Sequence, residues 1–158
     1  MNEGLSAQIS ALFENNPDRN AALAQALGLV LANFNSETGT VHLLDPAKQE
    51  LHLAAQVGLP PQMLDVVRLI PVGKGIAGQT VARGEPVSIC NLQSDSSGVA
   101  KPGARQTGVG GALCVPLRRA GVIVGTLGIG TRREHEYTPG ETRALEEISR
   151  HLAARLGE

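Results

Sequence analysis

Two cysteines, Cys90 and Cys114, are the only thiol nucleophiles that the sequence offers. Cys90 is predicted to end a short strand before a long loop, and Cys114 to lie in the middle of an apolar strand. Free cysteines in such settings usually behave as small core hydrophobes rather than as reactive groups. We therefore predict two structural thiols rather than a redox pair, and no catalytic residue.

The four histidines are the candidate metal ligands, and His42 and His52 fall on one predicted hairpin. Two histidines without a neighbouring third ligand make a poor zinc site, because structural and catalytic zinc sites use at least three protein ligands. We predict that both side chains lie on a solvent-exposed face and that no metal is bound. His151, on the last helix, is expected at the surface or at an interface.

Residues 73–78 read GKGIAG, which invites comparison with a phosphate-binding loop. The segment lacks the GxxxxGK[ST] spacing, and it does not follow a buried parallel strand. The glycines instead predict a tight turn with positive φ and close packing of the helix that follows.

The length and composition indicate one domain over residues 1–158, since 42% of the residues are hydrophobic. A net charge of -1 and three aromatic residues give no basic or base-stacking surface for nucleic acid. No run of 18 apolar residues predicts a membrane span, and the N-terminal residues do not resemble a signal peptide. We expect a cytoplasmic protein with reduced thiols.

Helices are predicted at both ends of the chain. Residues 1–16 have apolar positions at helical spacing, and Pro17 ends that helix. Asp18 or Asn20 caps a second helix, which opens the domain body of residues 18–156. Residues 138–141 read TPGE, which predicts a capping box at the start of the last helix.

The middle of the chain alternates between periods typical of strands and of short helices. Residues 91–108 show no period, and such a stretch is usually functional or mobile. Pro116 inside a strand predicts a sheet edge or a bulge there.

Because the hairpin connections are short, we predict a largely antiparallel sheet with the terminal helices on one face, an α+β fold. A first strand is predicted around Val41 and Leu43, before a turn at Asp45-Pro46. Further strands are predicted over 51–57, 85–89, 111–117 and 122–130, and short helices over 63–69 and 76–83.

In the order and spacing of five segments, the sequence resembles the GAF domain family of small sensory modules. The resemblance covers residues 20–156. It implies a PAS- or profilin-like antiparallel sheet of about five to six strands, with terminal helices on one face. Short helices and the 91–108 loop would close a pocket on the other face. The segments read VHLLD (41–45), PVGKGIAG (71–78), GEPVSI (84–89), LCVPL (113–117) and IVGTLGI (123–129).

By this resemblance, a ligand pocket is expected among residues 65–70, 79, 88–95 and 107–113. Arg68 could pair with an anionic group there. Polar side chains of the loop could hydrogen-bond a purine, an amide or a carboxylate. The candidate ligand-binding residues are Arg68, Gln79, Ser88, Asn91, Asp95 and Thr107.

The resemblance also offers an enzymatic alternative, because some GAF proteins are reductases of free methionine sulfoxide. Those enzymes need cysteines in the glycine turn and in the pocket loop. Here Ala77 stands in the turn and residues 92–111 contain no cysteine, so we predict that the chain is not an enzyme. The loop also lacks the cysteine of bilin-binding relatives, and no segment matches the signature of cyclic-nucleotide-binding ones.

The terminal helices carry a second functional signal, because they offer more apolar surface than one sheet face needs. We predict that part of this surface forms a homodimer. The sequence thus predicts a stand-alone sensory domain, or a piece of a larger protein, that binds an unidentified small ligand and signals through the dimer or a partner. The alternative without a ligand is a protein-interaction module. The stripe residues are Leu5, Ile9, Leu12, Leu145, Ile148, Leu152 and Leu156.

Overall fold

The computed structural model describes residues 2–89 and 110–156, with residues 2 and 3 described by their backbone alone. The predicted site residues Asn91, Asp95 and Thr107, the 91–108 loop and Cys90 therefore lie outside the described residues. The helices are α1 (Asn2–Asn15), α2 (Arg19–Asn33), α3 (Leu64–Val67, preceded by a 3₁₀ turn over Pro61–Met63), α4 (Gly75–Arg83) and α5 (Pro139–Arg155). The strands are β1 (Thr38–Asp45), β2 (Glu50–Val57), β3 (Leu69–Pro71), β4 (Val87–Ile89), β5 (Ala112–Arg119) and β6 (Val122–Gly130).

The strands form one six-stranded sheet in the order β3-β2-β1-β6-β5-β4, and all pairs are antiparallel. This confirms the predicted fold class. The predicted 63–69 helix is too long, because α3 ends at Val67 and Leu69 already pairs with His52 of β2. A three-residue strand is too short to show a period of two, so its pairing partner decides its structure.

The two long helices of the domain body begin where their capping residues predict. The Asp18 carboxylate accepts hydrogen bonds from the backbone amides of Asn20 and Ala21, at 3.0 and 3.4 Å. The Glu141 amide donates to the Thr138 hydroxyl oxygen at 3.0 Å, and the Thr138 amide donates to the Glu141 carboxylate at 2.9 Å. Such caps satisfy amide groups that the first helical turn leaves without partners.

The expectation that Pro116 marks an edge or a bulge is confirmed. Strand β5 pairs with β4 only as far as Cys114, so its outer edge is unpaired at Pro116. A register shift follows between Leu117 and Arg118. A proline has no amide hydrogen to donate, and an unpaired edge does not require one.

One face of the sheet holds the main core, under the terminal helices. Helix α2 covers β1 and β2, α5 covers β5 and β6, and α1 lies across α2 and α5. Each fully buried aliphatic side chain in this layer stabilises the fold by about 1.5–3 kcal/mol. The sheet contributes Val41, Val115, Leu127 and Ile129, and the helices contribute Ile9, Leu27, Val30, Leu145, Ile148 and Leu152.

The single chain buries most of the apolar stripe from which a dimer was predicted. Five of its seven side chains are at most 3% exposed, namely Leu5, Ile9, Leu145, Ile148 and Leu152. Leu12 and Leu156 are only partly buried. The dimer remains a prediction, and it has less apolar surface available than the sequence suggested.

Replacing Ile9 by alanine tests whether α1 packs within one chain. The side chain is fully buried, so Ile9→Ala should lower the free energy of unfolding by about 2–4 kcal/mol. Urea denaturation at several protein concentrations measures this loss. The partly buried Leu12→Ala is the control and should lose less; a larger loss there, or one that depends on concentration, would place α1 against a second chain instead.

Candidate functional site

The second face of the sheet borders a cavity of about 150 Å³, lined by residues of β1, β5 and β6 and of α3 and α4. A cavity of this volume holds a molecule the size of a benzene ring. No charged side chain lines it in the described part of the chain. Its polar lining comes from Thr38, Thr40, His42 and Cys114, and its apolar lining from Met63, Val66, Val67, Ile70, Ile76, Ala77, Ala112, Leu113 and Ile129.

A glycine keeps the cavity open at the centre of the sheet. Gly128 of β6 pairs with Thr40 on one side and with Cys114 on the other. A Cβ atom at this position would lie 3.1 Å from the Thr40 hydroxyl oxygen and 3.9 Å from the Cys114 sulfur. Any larger side chain would therefore occupy space that the cavity now provides.

His42 is the most polar group of the lining, and its solvent-exposed position was predicted wrongly. Its side chain is only 1% exposed, whereas His52 is exposed as expected. The alternation along β1 correctly predicts that His42 and Val41 lie on opposite faces of the sheet. The face that carries His42 is covered by α3 and α4 rather than by solvent. The imidazole Nε2 lies 2.8 Å from the carbonyl oxygen of Val67, so His42 holds the end of α3 against the sheet.

The hydrogen bond to Val67 determines the protonation of the neutral imidazole. A carbonyl oxygen only accepts, so Nε2 must carry the proton and Nδ1 must have a free lone pair. That Nδ1 is buried and has no hydrogen-bond partner among residues 2–89 and 110–156. Burial lowers the pKa of His42 below its ordinary 6.5, the Val67 carbonyl partly opposes this shift, and the charge of His52 adds to it.

Cys114 is a buried thiol, as predicted. It is 3% exposed, and burial raises its pKa to about 11, although the nearby Thr80 and Thr126 hydroxyls act in the opposite direction. The Thr80 hydroxyl itself donates to the carbonyl of Ile76 at 2.8 Å. Because a thiolate is the nucleophilic form of cysteine, this thiol is poorly suited to covalent chemistry at neutral pH.

The glycine turn before α4 is held by its own backbone. The Gly73 amide donates to the Gly78 carbonyl at 2.9 Å. A Cβ atom on Gly78 would lie 2.4 Å from the carbonyl oxygen of Pro71, so this position requires glycine. The Gln79 side chain donates to the Gly73 carbonyl at 2.8 Å. The predicted turn with close helix packing is confirmed, and the Gln79 amide donates within it.

Arg68, Gln79 and Ser88 lie outside the described lining of this cavity. Arg68 and Ser88 have exposed side chains, and the Arg68 carbonyl accepts from the Leu53 amide at 2.9 Å. Their roles in ligand binding, and those of Asn91, Asp95 and Thr107, remain predictions. The polar lining on β1 was missed, although the alternation of Thr38, Thr40 and His42 with apolar neighbours was a readable signal.

No group of three histidine, cysteine or acidic side chains within 2–89 and 110–156 is placed to hold a metal ion. No helix in the same ranges is long and apolar enough to cross a membrane.

Comparison with known proteins points to one fold. A family model described as a GAF domain matches residues 17–156. A free methionine-R-sulfoxide reductase of Neisseria meningitidis, solved with its substrate, superposes with a TM-score of 0.79 at 22% identity, covering 98% of this chain and 87% of that one. The GAF domain of a phosphoenolpyruvate-protein phosphotransferase of Coxiella burnetii superposes with a TM-score of 0.80 at 20% identity. The match covers 98% of this chain and 92% of that one.

A third solved structure, the A. Aeolicus nlh2 GAF domain in an inactive state, gives a TM-score of 0.77 at 18% identity, covering 98% of this chain and 94% of that one. Among functionally curated proteins, no match was found. At these identities the solved structures establish the fold, and they include both a reductase and domains of other proteins.

The buried His42 should make stability depend on pH. As pH falls from about 7.5 to about 5.5, the unfolded chain binds a proton at His42 before the folded chain does, so the free energy of unfolding should decrease. Urea denaturation across this range measures the slope. His42→Gln should flatten it, whereas the exposed His52→Gln should change it little; an unchanged slope in His42→Gln would contradict the assignment.

The Cys114 thiol should react only when the protein opens. In a Cys90→Ser variant, labelling by Ellman's reagent at about pH 8 should be slow and should accelerate with denaturant, because the thiol is buried and its pKa is raised. A variant that also carries Cys114→Ser gives the background rate. Rapid stoichiometric labelling in native buffer would show an accessible, activated thiol.

Proposed function

The chain belongs to the GAF domain family, and we propose that it is a sensory module that binds a small molecule in the cavity between its sheet and α3–α4. Membership of the family supports a sensory or regulatory role without naming a ligand. The observation that supports small-molecule binding is the cavity of about 150 Å³ beside His42. Small-molecule sites are concave and mostly apolar, with a few polar groups, so a pocket of this lining on a sheet face favours a ligand.

The position of the cavity supports a route by which binding is transmitted. Adjacent residues on β1 and β5 serve the two faces: Val41 and Val115 belong to the core under the helices, while His42 and Cys114 line the cavity. A ligand that favours one arrangement of the cavity therefore acts on strands that also carry α2 and α5. It shifts that equilibrium only by its difference in affinity for the two arrangements.

The output of the module is proposed to be a helical surface, in a homodimer or with a partner protein in the cytoplasm. Leu12, Leu29 and Leu156 are partly buried apolar side chains of the helical layer. Gln8, Leu12, Gln25 and Leu29 line a shallow groove between α1 and α2. The leucine side chains are among the partly buried apolar groups of the helices from which a contact could be built.

A non-enzymatic role fits the described chemistry better than a reductase role does. The neighbour from Neisseria meningitidis is named a free methionine-R-sulfoxide reductase. In this chain Cys114 is a buried thiol of raised pKa, and Ala77, in the first turn of α4, lines the cavity without offering a thiol. Fast native labelling of Cys114 would favour the reductase. A protein-interaction module without a ligand would bind its partner unchanged after substitutions in the cavity.

Filling the cavity tests the proposal. Ala77 lines the cavity on α4, whereas Ala82 of the same helix is exposed, so Ala77→Leu and Ala82→Leu form a matched pair. Native mass spectrometry of freshly purified protein should show a small-molecule adduct on the wild type and on Ala82→Leu, and its loss on Ala77→Leu, because the added side chain occupies the ligand's space.

Thermal unfolding provides the control and a second readout. Ala77→Leu should remain folded, with at most about 1–3 kcal/mol lost to overpacking. Compounds that bind the cavity should raise the melting temperature of the wild type and of Ala82→Leu more than that of Ala77→Leu. An adduct that survives in Ala77→Leu, or stabilisation equal in all three proteins, would place the ligand elsewhere and contradict the proposal.

A further inference from the structure

The three long helices of the helical layer differ in their charge. Helix α1 has no charged residue over positions 4–13, and α2 has none over positions 20–33. Helix α5 of the same layer exposes Arg143 and Arg150. A helix face that stays in water normally carries charged residues, whereas the centre of a protein–protein interface is depleted of them. This contrast indicates that α5 faces solvent and that the outer sides of α1 and α2 face a partner.

The outer side of α2 is built mainly from small side chains. Ala24, Gln25 and Ala32 are exposed, and Gly28 lies between them on the same side, because residues three and four apart are neighbours on a helix. These four residues are called the α2 face. The distance between two packed helices depends on the side chains at their contact, so small residues allow a second helix to approach closely.

Gly28 supplies an independent observation, because the described part of the chain does not require a glycine there. A Cβ atom at this position would meet no other part of the chain within 4 Å, and the φ of Gly28 is not positive. Glycine weakens the interior of a helix relative to alanine. A destabilising glycine without a reason inside its own chain indicates a close contact with another one.

A groove between α1 and α2 adjoins this face, and its lining favours a copy of itself as the partner. An amide side chain both donates and accepts hydrogen bonds, so amides related by a two-fold axis can bond to each other. A charged surface would instead meet its own charge across such an axis. The groove is lined by the amides Gln8, Asn15, Asn16 and Gln25 and by the apolar Ala11, Leu12 and Leu29.

We propose that the α2 face and the adjoining groove form a two-fold interface with a second copy of this chain, with Gly28 at the closest contact between the helices. This inference rests on the proposed output through a helical surface, and it names a second copy as the partner. The buried side chains of both helices, such as Ile9 and Leu27, stay in the core of their own chain.

Replacing Gly28 by alanine tests the interface, because the single chain and the dimer should respond in opposite directions. At low concentration, where the chain is monomeric, Gly28→Ala should raise the urea midpoint, since alanine favours the helix and its methyl group has room. In the dimer that methyl group lies at the closest contact, so the dimer Kd should rise about tenfold or more. Sedimentation velocity over a wide concentration range measures the Kd from the mass above the 16.5 kDa of one chain.

Two matched controls separate the interface from general effects of the substitutions. Gly140→Ala on α5 adds a methyl group 3.7 Å from the Thr138 hydroxyl oxygen, an ordinary contact, and should keep the wild-type Kd. Ala24→Glu should abolish the dimer, because the two-fold axis brings like charges together. Ala82→Glu places the same charge on the exposed side of α4 and should leave the dimer unchanged. Circular dichroism shows whether each variant is folded.

Three outcomes would overturn the inference. A wild type that sediments as a monomer at every concentration has no such interface, and the experiment with Ala77→Leu still decides separately whether the cavity binds a ligand. A dimer whose Kd is unchanged in Gly28→Ala or in Ala24→Glu uses another surface. A lower urea midpoint of Gly28→Ala at low concentration would show that the single chain itself requires the glycine.

Discussion

Side chains of a β-strand point alternately to the two faces of a sheet, and this constraint governs the whole molecule. Each central strand must supply a hydrophobic layer to the helices and, at every second position, a different layer to the cavity. Strand β1 does so with Val41 and His42, β5 with Val115 and Cys114, and β6 with Leu127 and Gly128. The core residues are large and aliphatic, whereas their neighbours on the cavity side are small or polar. The core and the cavity are thus built on the same three strands, and Leu113 and Ile129 belong to both.

The sequence predicts well those features that depend on local chemistry. The starts of α2 and α5 are predicted by their capping residues Asp18, Thr138 and Glu141, because a helix cap depends on only a few neighbouring residues. The antiparallel sheet follows from short connections, and the family resemblance follows from the order of five segments. The pairing of β3 with β2 and the burial of His42 were not predicted, because both depend on distant segments. A period of two says which residues share a face, but it does not say whether solvent or a helix covers that face.

The fold alone does not decide between sensing and catalysis, since the same architecture occurs in a named reductase and in GAF domains of other proteins. The difference must therefore lie in individual side chains. In the described part of this chain, the cavity offers a buried thiol of raised pKa and an imidazole held neutral by burial. Both groups are protonated or neutral near pH 7, and both are better suited to packing and hydrogen bonding than to nucleophilic attack. The raised pKa of Cys114 and the lowered pKa of His42 have one cause, which is the exclusion of water from this face.

The ends of the sheet restrict how copies of the chain can associate. The outermost strands, β3 and β4, have three residues each, and β3 ends at Pro71, which has no amide hydrogen to donate. Next to β4, the unpaired part of β5 carries Pro116, a register shift and two arginines, Arg118 and Arg119. Short edges, prolines, bulges and positive charges all oppose the addition of a further strand, which is the usual first step of edge-to-edge aggregation. The sheet is thereby protected against amyloid-like growth, and self-association through its described edges is disfavoured relative to association through the helices.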